Sequence, residues 1–144
     1  MAINIFTAEN TEGRVDVARA LGSVETSMYI YDLQPGASSG PYHYEYCEEW
    51  LLVLEGSIIL RDTDGEHTLH RGDLVCFAAG PTGAHKIMNR SESRARTLMF
   101  SSSRVPAVSV YPDSNKIGVW PGNEADELVF SRETAVPWSD GEDE

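Results

Sequence analysis

The stretch Pro41-Tyr42-His43-Tyr44-Glu45-Tyr46-Cys47-Glu48-Glu49-Trp50-Leu51-Leu52-Val53-Leu54-Glu55-Gly56 joins a dense set of metal-binding side chains to an apolar run that stops at a glycine. A β-strand alternates its faces with period two, so His43 and Glu45 point the same way. Glu49 joins them if the chain turns and re-enters a strand. Burying two carboxylates and an imidazole without partners is very costly, and one divalent cation would satisfy all three. A solvent-exposed acidic loop is the alternative reading of this stretch alone.

Outward from it the chain reads as short strands punctuated by turns, the pattern of a sandwich or barrel. Strands are expected at Ile3 to Phe6, Ser27 to Leu33, Glu49 to Glu55 and Ser57 to Arg61. Further strands are expected at Thr68 to His70, Leu74 to Ala78, His85 to Met88, Thr97 to Ser101 and Val108 to Tyr111. Lys116 to Trp120 and Glu127 to Phe130 read as edge strands or an arm over the barrel. Thr7 to Leu21 is polar, with room for one turn of helix. Gly56 predicts a tight hairpin. Asp62-Thr63-Asp64-Gly65 predicts a turn rather than a calcium loop, because the third acidic position and the closing Glu of an EF-hand are missing. No segment holds a helical period over ten residues.

The 144 residues suit one domain, and an apolar share of 41% is enough to bury a core. With 11 Lys and Arg against 23 Asp and Glu, the formal charge is −12, and the tail from Ser139 to Glu144 carries part of it. Such a surface repels phosphate backbones and anionic membranes, so neither nucleic acid nor membrane is an expected partner. The longest apolar run, Trp50 to Leu54, is far too short to span a bilayer. The N-terminus carries Glu9, Glu12 and Asp16 instead of a basic start and an apolar stretch, so a cytoplasmic protein with free Cys47 and Cys76 is expected. Cys76, inside an apolar run, is expected in the core. Tyr29, Tyr31, Trp50, Phe77 and Phe100 are expected there too, some of them lining a cavity. His67 and His70 are expected on the surface.

A second segment, Pro81-Thr82-Gly83-Ala84-His85-Lys86-Ile87-Met88-Asn89, delivers one histidine from a turn-rich loop to the start of a strand. The two segments together closely resemble the paired motifs of the cupin superfamily. The first motif appears as His43-x-Glu45, three residues, Glu49, six residues, Gly56. The second appears as Pro81-x-Gly83, Ala84, His85, three residues, Asn89. The resemblance covers about residues 27 to 101 and implies an all-β fold, the cupin-type double-stranded β-helix or jelly-roll barrel. It is expected to form one domain over 1–144, with a C-terminal arm over about 105–138. It departs from the family pattern in three places. Glu45 stands where the family has its second histidine, the gap from Gly83 to His85 is one residue short, and the glycine spacing before His43 is weak.

Position by position, the resemblance makes His43, Glu49 and His85 metal ligands, with Glu45 as a carboxylate in the fourth place. Two imidazoles and two carboxylates suit Mn, Fe, Ni or Zn, the oxygen ligands favouring Mn or Fe. The expected function is a metal-dependent enzyme of dioxygenase, isomerase or decarboxylase type acting on a small molecule, Glu45 serving as general acid or base when off the metal. The alternative is a cupin that binds a ligand without turning it over, or a metal-free structural one. A homodimer is implied as well, with Ile3 to Phe6 or the arm from Val108 onward crossing over.

Overall fold

The computed structural model describes residues 1–9, 12–102 and 105–142, so Ser103 and the last two residues of the acidic tail lie outside the described residues. Among the described residues twelve strands follow in order: β1 (Arg14–Asp16), β2 (Thr26–Leu33), β3 (Tyr44–Glu45), β4 (Glu49–Glu55), β5 (Ser57–Arg61) and β6 (Glu66–His70), then β7 (Leu74–Phe77), β8 (Lys86–Met88), β9 (Ala95–Ser102), β10 (Ala107–Tyr111), β11 (Lys116–Trp120) and β12 (Leu128–Ser131). One helical turn, α1 (Val17–Ala20), is capped by the Asp16 side chain accepting from the Arg19 N–H. The remaining helical pieces are single 3-10 turns, so the expected all-β class is the one observed. No helix among the described residues is long and apolar enough to cross a membrane.

The strands form a five-stranded sheet in the order β1-β2-β9-β4-β7, a three-stranded sheet β6-β5-β8 and a four-stranded sheet β12-β11-β10-β3. Strand parity decides what each face meets. On β4, Leu51 and Val53 point inward, where they pack with Ile58, Leu60 and Ile87 of the three-stranded sheet, with Phe77 and Ala95 nearby. Burying a side chain of this size contributes roughly 1.5–3 kcal/mol, so this interlayer contact is the main stabilising term. At Gly56 the chain bends with φ +72, and a Cβ there would lie 2.9 Å from the Arg94 carbonyl oxygen. The expected hairpin is corrected: β4 and β5 do not pair, and Gly56 carries the chain from the five-stranded sheet into the three-stranded one, a bend that needs glycine on both conformational and steric grounds. The predicted Asp62–Gly65 turn forms with the Asp62 carboxylate accepting from the Asp64 and Gly65 N–H groups.

Further expectations are corrected. Trp50 is 40% and Phe100 37% exposed, and Cys76 is exposed. The three are cross-strand partners of one row, Phe100–Trp50–Cys76. Trp50 lies between the inward-facing Glu49 and Leu51, so parity sends it and its row to the outer face. Apolar composition misled here because β4 is apolar on both faces. Ile3 to Phe6 forms a turn, not a strand: the Asn4 side chain accepts from the Phe6 N–H, and the Asn4 carbonyl accepts from Thr7 and Ala8.

A buried arginine organises this N-terminal segment. Arg96, 2% exposed, holds Asp32 through two hydrogen bonds of 2.8 and 2.7 Å. Its remaining donors reach the carbonyls of Ile5, Phe6 and Ala8 at 3.1, 2.7 and 2.7 Å. Arg96→Ala removes the main partner of the part-buried Asp32, which keeps only the Arg94 guanidinium at 3.3 Å. Unfolding in denaturant should show a loss of about 3–5 kcal/mol, with early proteolysis near Phe6, and a loss below about 1 kcal/mol would contradict this role.

Candidate metal centre

Both sequence motifs meet at one end of the barrel. His43 and His85 form a reciprocal backbone pair, His43 N–H to His85 O at 3.1 Å and His85 N–H to His43 O at 2.8 Å. The imidazole centroids are 4.9 Å apart. Glu49 enters from the first residue of β4, after a three-residue bend that follows β3. One ligand atom from each of His43, Glu49 and His85 can be chosen so that all three lie within 4.8 Å of one another.

The orientation of both rings is set by the backbone. His43 Nδ1 lies 2.9 Å from the Pro41 carbonyl, and His85 Nδ1 lies 2.8 Å from the Gly83 carbonyl. A carbonyl oxygen only accepts, so Nδ1 carries the proton in each ring and leaves Nε2 with its lone pair. The Phe77 ring stacks on His85 with centroids 3.7 Å apart and planes 10° from parallel. Gly83 is sterically required, because a Cβ there would lie 1.8 Å from the Ala78 carbonyl oxygen. That close approach fixes the carbonyl that orients His85. The loop is tied down further by the Gly80 N–H donating to the Glu45 carbonyl at 2.7 Å.

The electrostatics favour a cation. Burial, with the Glu45 charge adding, raises the Glu49 carboxyl to about 7. Burial lowers His85 to about 4, the bond to Gly83 opposing and His43 reinforcing the shift. The 3.5 Å approach of His85 Nε2 to Glu49 Oε2 is therefore not an ion pair at neutral pH. Once ionised, this desolvated carboxylate faces two imidazole lone pairs, a set of acceptors that a divalent ion matches. The donor set present fits such an ion.

Glu45 lines the same cavity of about 170 Å³, with Tyr29, Tyr31, Ser27, Ser39 and Ser101 among its neighbours. It stands outside the three-residue group. Its Oε1 accepts from Ser109 Oγ at 2.9 Å, and Cys47 Sγ approaches its Oε2 at 3.6 Å. Burial, followed by the charges of Glu45 and Glu49, pushes the Cys47 thiol up to about 11, so it is an inert neutral neighbour. A second hollow of about 310 Å³ shares Ser27, Glu45 and Ser101 with the first and is lined by residues of β10. His67 and His70 lie on the surface, away from the site, as expected from sequence. Sequence reasoning missed Ser109 and Trp120, whose indole Nε1–H donates to Ser109 Oγ at 2.9 Å. Only their alternation on β10 and β11 could have signalled them.

Residues 29–101, half of the chain, match the family model described as Cupin domain. No curated protein matches. Among solved structures the chain is similar to a sugar phosphate isomerase of the cupin superfamily from Silicibacter pomeroyi, at 26% identity and TM-score 0.77 over 90% of this chain and 83% of that one. A structure from Acidithiobacillus ferrooxidans, given the same activity name provisionally, is 22% identical with TM-score 0.77 over 86% and 78% of the two chains. A polyketide cyclase from Streptomyces resistomycificus is 20% identical with TM-score 0.56 over 65% and 67%. The last two likenesses concern the fold alone.

The hydrogen-bond geometry of the two rings predicts that long-range proton–nitrogen NMR correlations at pH 7.5 show both His43 and His85 as Nδ1–H tautomers. On acidification His85 stays neutral until about pH 4. An Nε2–H ring at either position would contradict the geometry.

Proposed function

This chain belongs to the cupin family, and on that footing we propose that it is a metal-dependent enzyme of isomerase type acting on a small polyhydroxylated carbonyl compound. The observation that carries the proposal is the convergence of His43, Glu49 and His85 at one cavity that also holds a separate carboxylate, Glu45. The name of the Silicibacter pomeroyi structure supports the isomerase class.

His43, Glu49 and His85 would hold the ion, which supplies Lewis acidity toward a substrate oxygen when bound. Mn and Fe suit the oxygen ligand, and Ni and Zn suit the imidazoles. The hydroxyls of Tyr29, Tyr31, Ser27 and Ser101 line the cavity and would hydrogen-bond substrate hydroxyls. Glu45 would move a proton between adjacent carbons, the step that an aldose–ketose conversion requires. The stacked Phe77 and the buried strand β4 keep water from the far side of the site.

Elemental analysis of untagged protein should find about one transition metal per chain, and His43→Ala or His85→Ala should abolish it. Stoichiometry near zero, unchanged by those substitutions, would sink the ion. Incubation of the loaded protein with a panel of aldoses, ketoses and their phosphates, followed by NMR, should show interconversion of at least one pair. Stabilisation by a panel member without any product would instead favour a binding protein.

We also propose a homodimer. The outer face of the five-stranded sheet is apolar over Met28, Trp50, Leu52, Leu74, Leu98 and Phe100. The edge strand β12 exposes Leu128, Val129 and Phe130, and Trp138 beyond it is 93% exposed. Exposed apolar groups gathered on one face and one edge are the kind of surface that a second copy covers. A second copy is the fitting occupant, because the arm of one chain is apolar where the sheet face of the other is. Sedimentation at micromolar concentration should give twice the 15.9 kDa chain mass, and Trp50→Glu should halve it. A wild-type monomer would contradict the dimer.

A further inference from the structure

β3, β10 and β11 set one transverse row of residues side by side: Glu45 opposite Ser109, and Ser109 opposite Gly118. Cross-strand partners share a face, so these three stand together on the sheet. Trp120, two residues beyond Gly118, shares that face as well. Gly118 is buried and has no left-handed backbone to accommodate, so conformation does not explain the glycine. Space does. A Cβ at 118 would lie 2.5 Å from Trp120 Cζ2 and 2.9 Å from Cε2. The missing side chain lets the indole lie over the strand and carry Nε1 to Ser109 Oγ.

The direction of the chain of hydrogen bonds is then forced. An indole N–H only donates, so Ser109 Oγ accepts from Trp120. The Ser109 hydroxyl proton is left for Glu45 Oε1, 2.9 Å away. Ser109 is 2% exposed, and beside Glu45 and Trp120 its hydroxyl also meets the Tyr111 hydroxyl on the same strand. β10 and β11 lie outside the residues that match the family model, so this anchor is a feature of this chain's own arm.

We propose that Ser109 and Trp120 are positioning residues that hold Glu45 by its Oε1 against the β10–β11 wall, so that the cation takes three side chains and Glu45 stays available to a small molecule in the cavity. This rests on the ion reading above and replaces the fourth ligand expected from sequence with a tethered neighbour. Ser109→Ala removes the tether, and the freed carboxylate is drawn toward the cation.

Cobalt(II) is a suitable probe, because its visible absorption reports coordination and its affinity is measurable by chelator competition. Glu45→Gln should bind it within roughly threefold of wild type with the same spectrum, whereas Glu49→Gln should lose about tenfold or more. Ser109→Ala should change the spectrum and tighten binding about tenfold, and the Ser109→Ala/Glu45→Gln double variant should return to wild type. Gly118→Ala should resemble Ser109→Ala, and Trp120→Phe provides the same test where crowding at Gly118 prevents folding. In the metal-free protein the Trp120 indole N–H resonance should move in both Ser109→Ala and Glu45→Gln. A large loss of cobalt affinity in Glu45→Gln, a Ser109→Ala spectrum like wild type, or an unmoved indole resonance would overturn the tether alone. No cobalt uptake by wild type would overturn the ion reading and the tether with it.

Discussion

The backbone pair between His43 and His85 joins two segments more than forty residues apart, and the candidate centre depends on it. It places two imidazoles at a fixed separation before any side chain is chosen. Each ring then donates Nδ1–H to a carbonyl two residues back, so both tautomers follow from main-chain geometry. The loop that supplies one of those carbonyls closes only because position 83 is glycine. Preorganisation of this kind matters for a metal site, since ligands held in place by backbone lose little freedom when an ion enters.

The same region explains why the site is under electrostatic strain without a cation. Glu49 is buried next to a second carboxylate, and His85 is buried as a neutral base. Between about pH 4.5 and 6.5 these two groups act on stability in opposite directions. The raised Glu49 carboxyl favours the fold at lower pH, and the depressed His85 favours it at higher pH. Their opposition leaves little net pH dependence from the pair. A divalent ion would relieve the carboxylate and use the lone pairs that burial has kept neutral.

Much of this was legible in residue order. Alternation, turn glycines and the two motif spacings pointed to the barrel, and the period-two rule put His43 and Glu45 on one cavity wall. Three things were not legible. Trp50, Phe100 and Cys76 face outward because β4 is apolar on both faces, so composition could not tell inside from outside. The Ile3 to Phe6 stretch has strand-like residues, but Arg96, ninety positions away, claims its carbonyls. Ser109 and Trp120 gain their meaning from cross-strand register, which no local pattern encodes.

That register also gives the carboxylate at position 45 its own place in the chemistry: near the three convergent side chains, yet held by the arm. The most direct measurement is anomalous X-ray scattering, recorded at the absorption edge of whichever element the purified protein carries. A single peak bounded by His43 Nε2, Glu49 and His85 Nε2, with Glu45 still on Ser109, is the predicted result. The absence of any peak there, or a peak coordinated elsewhere on the chain, would contradict it.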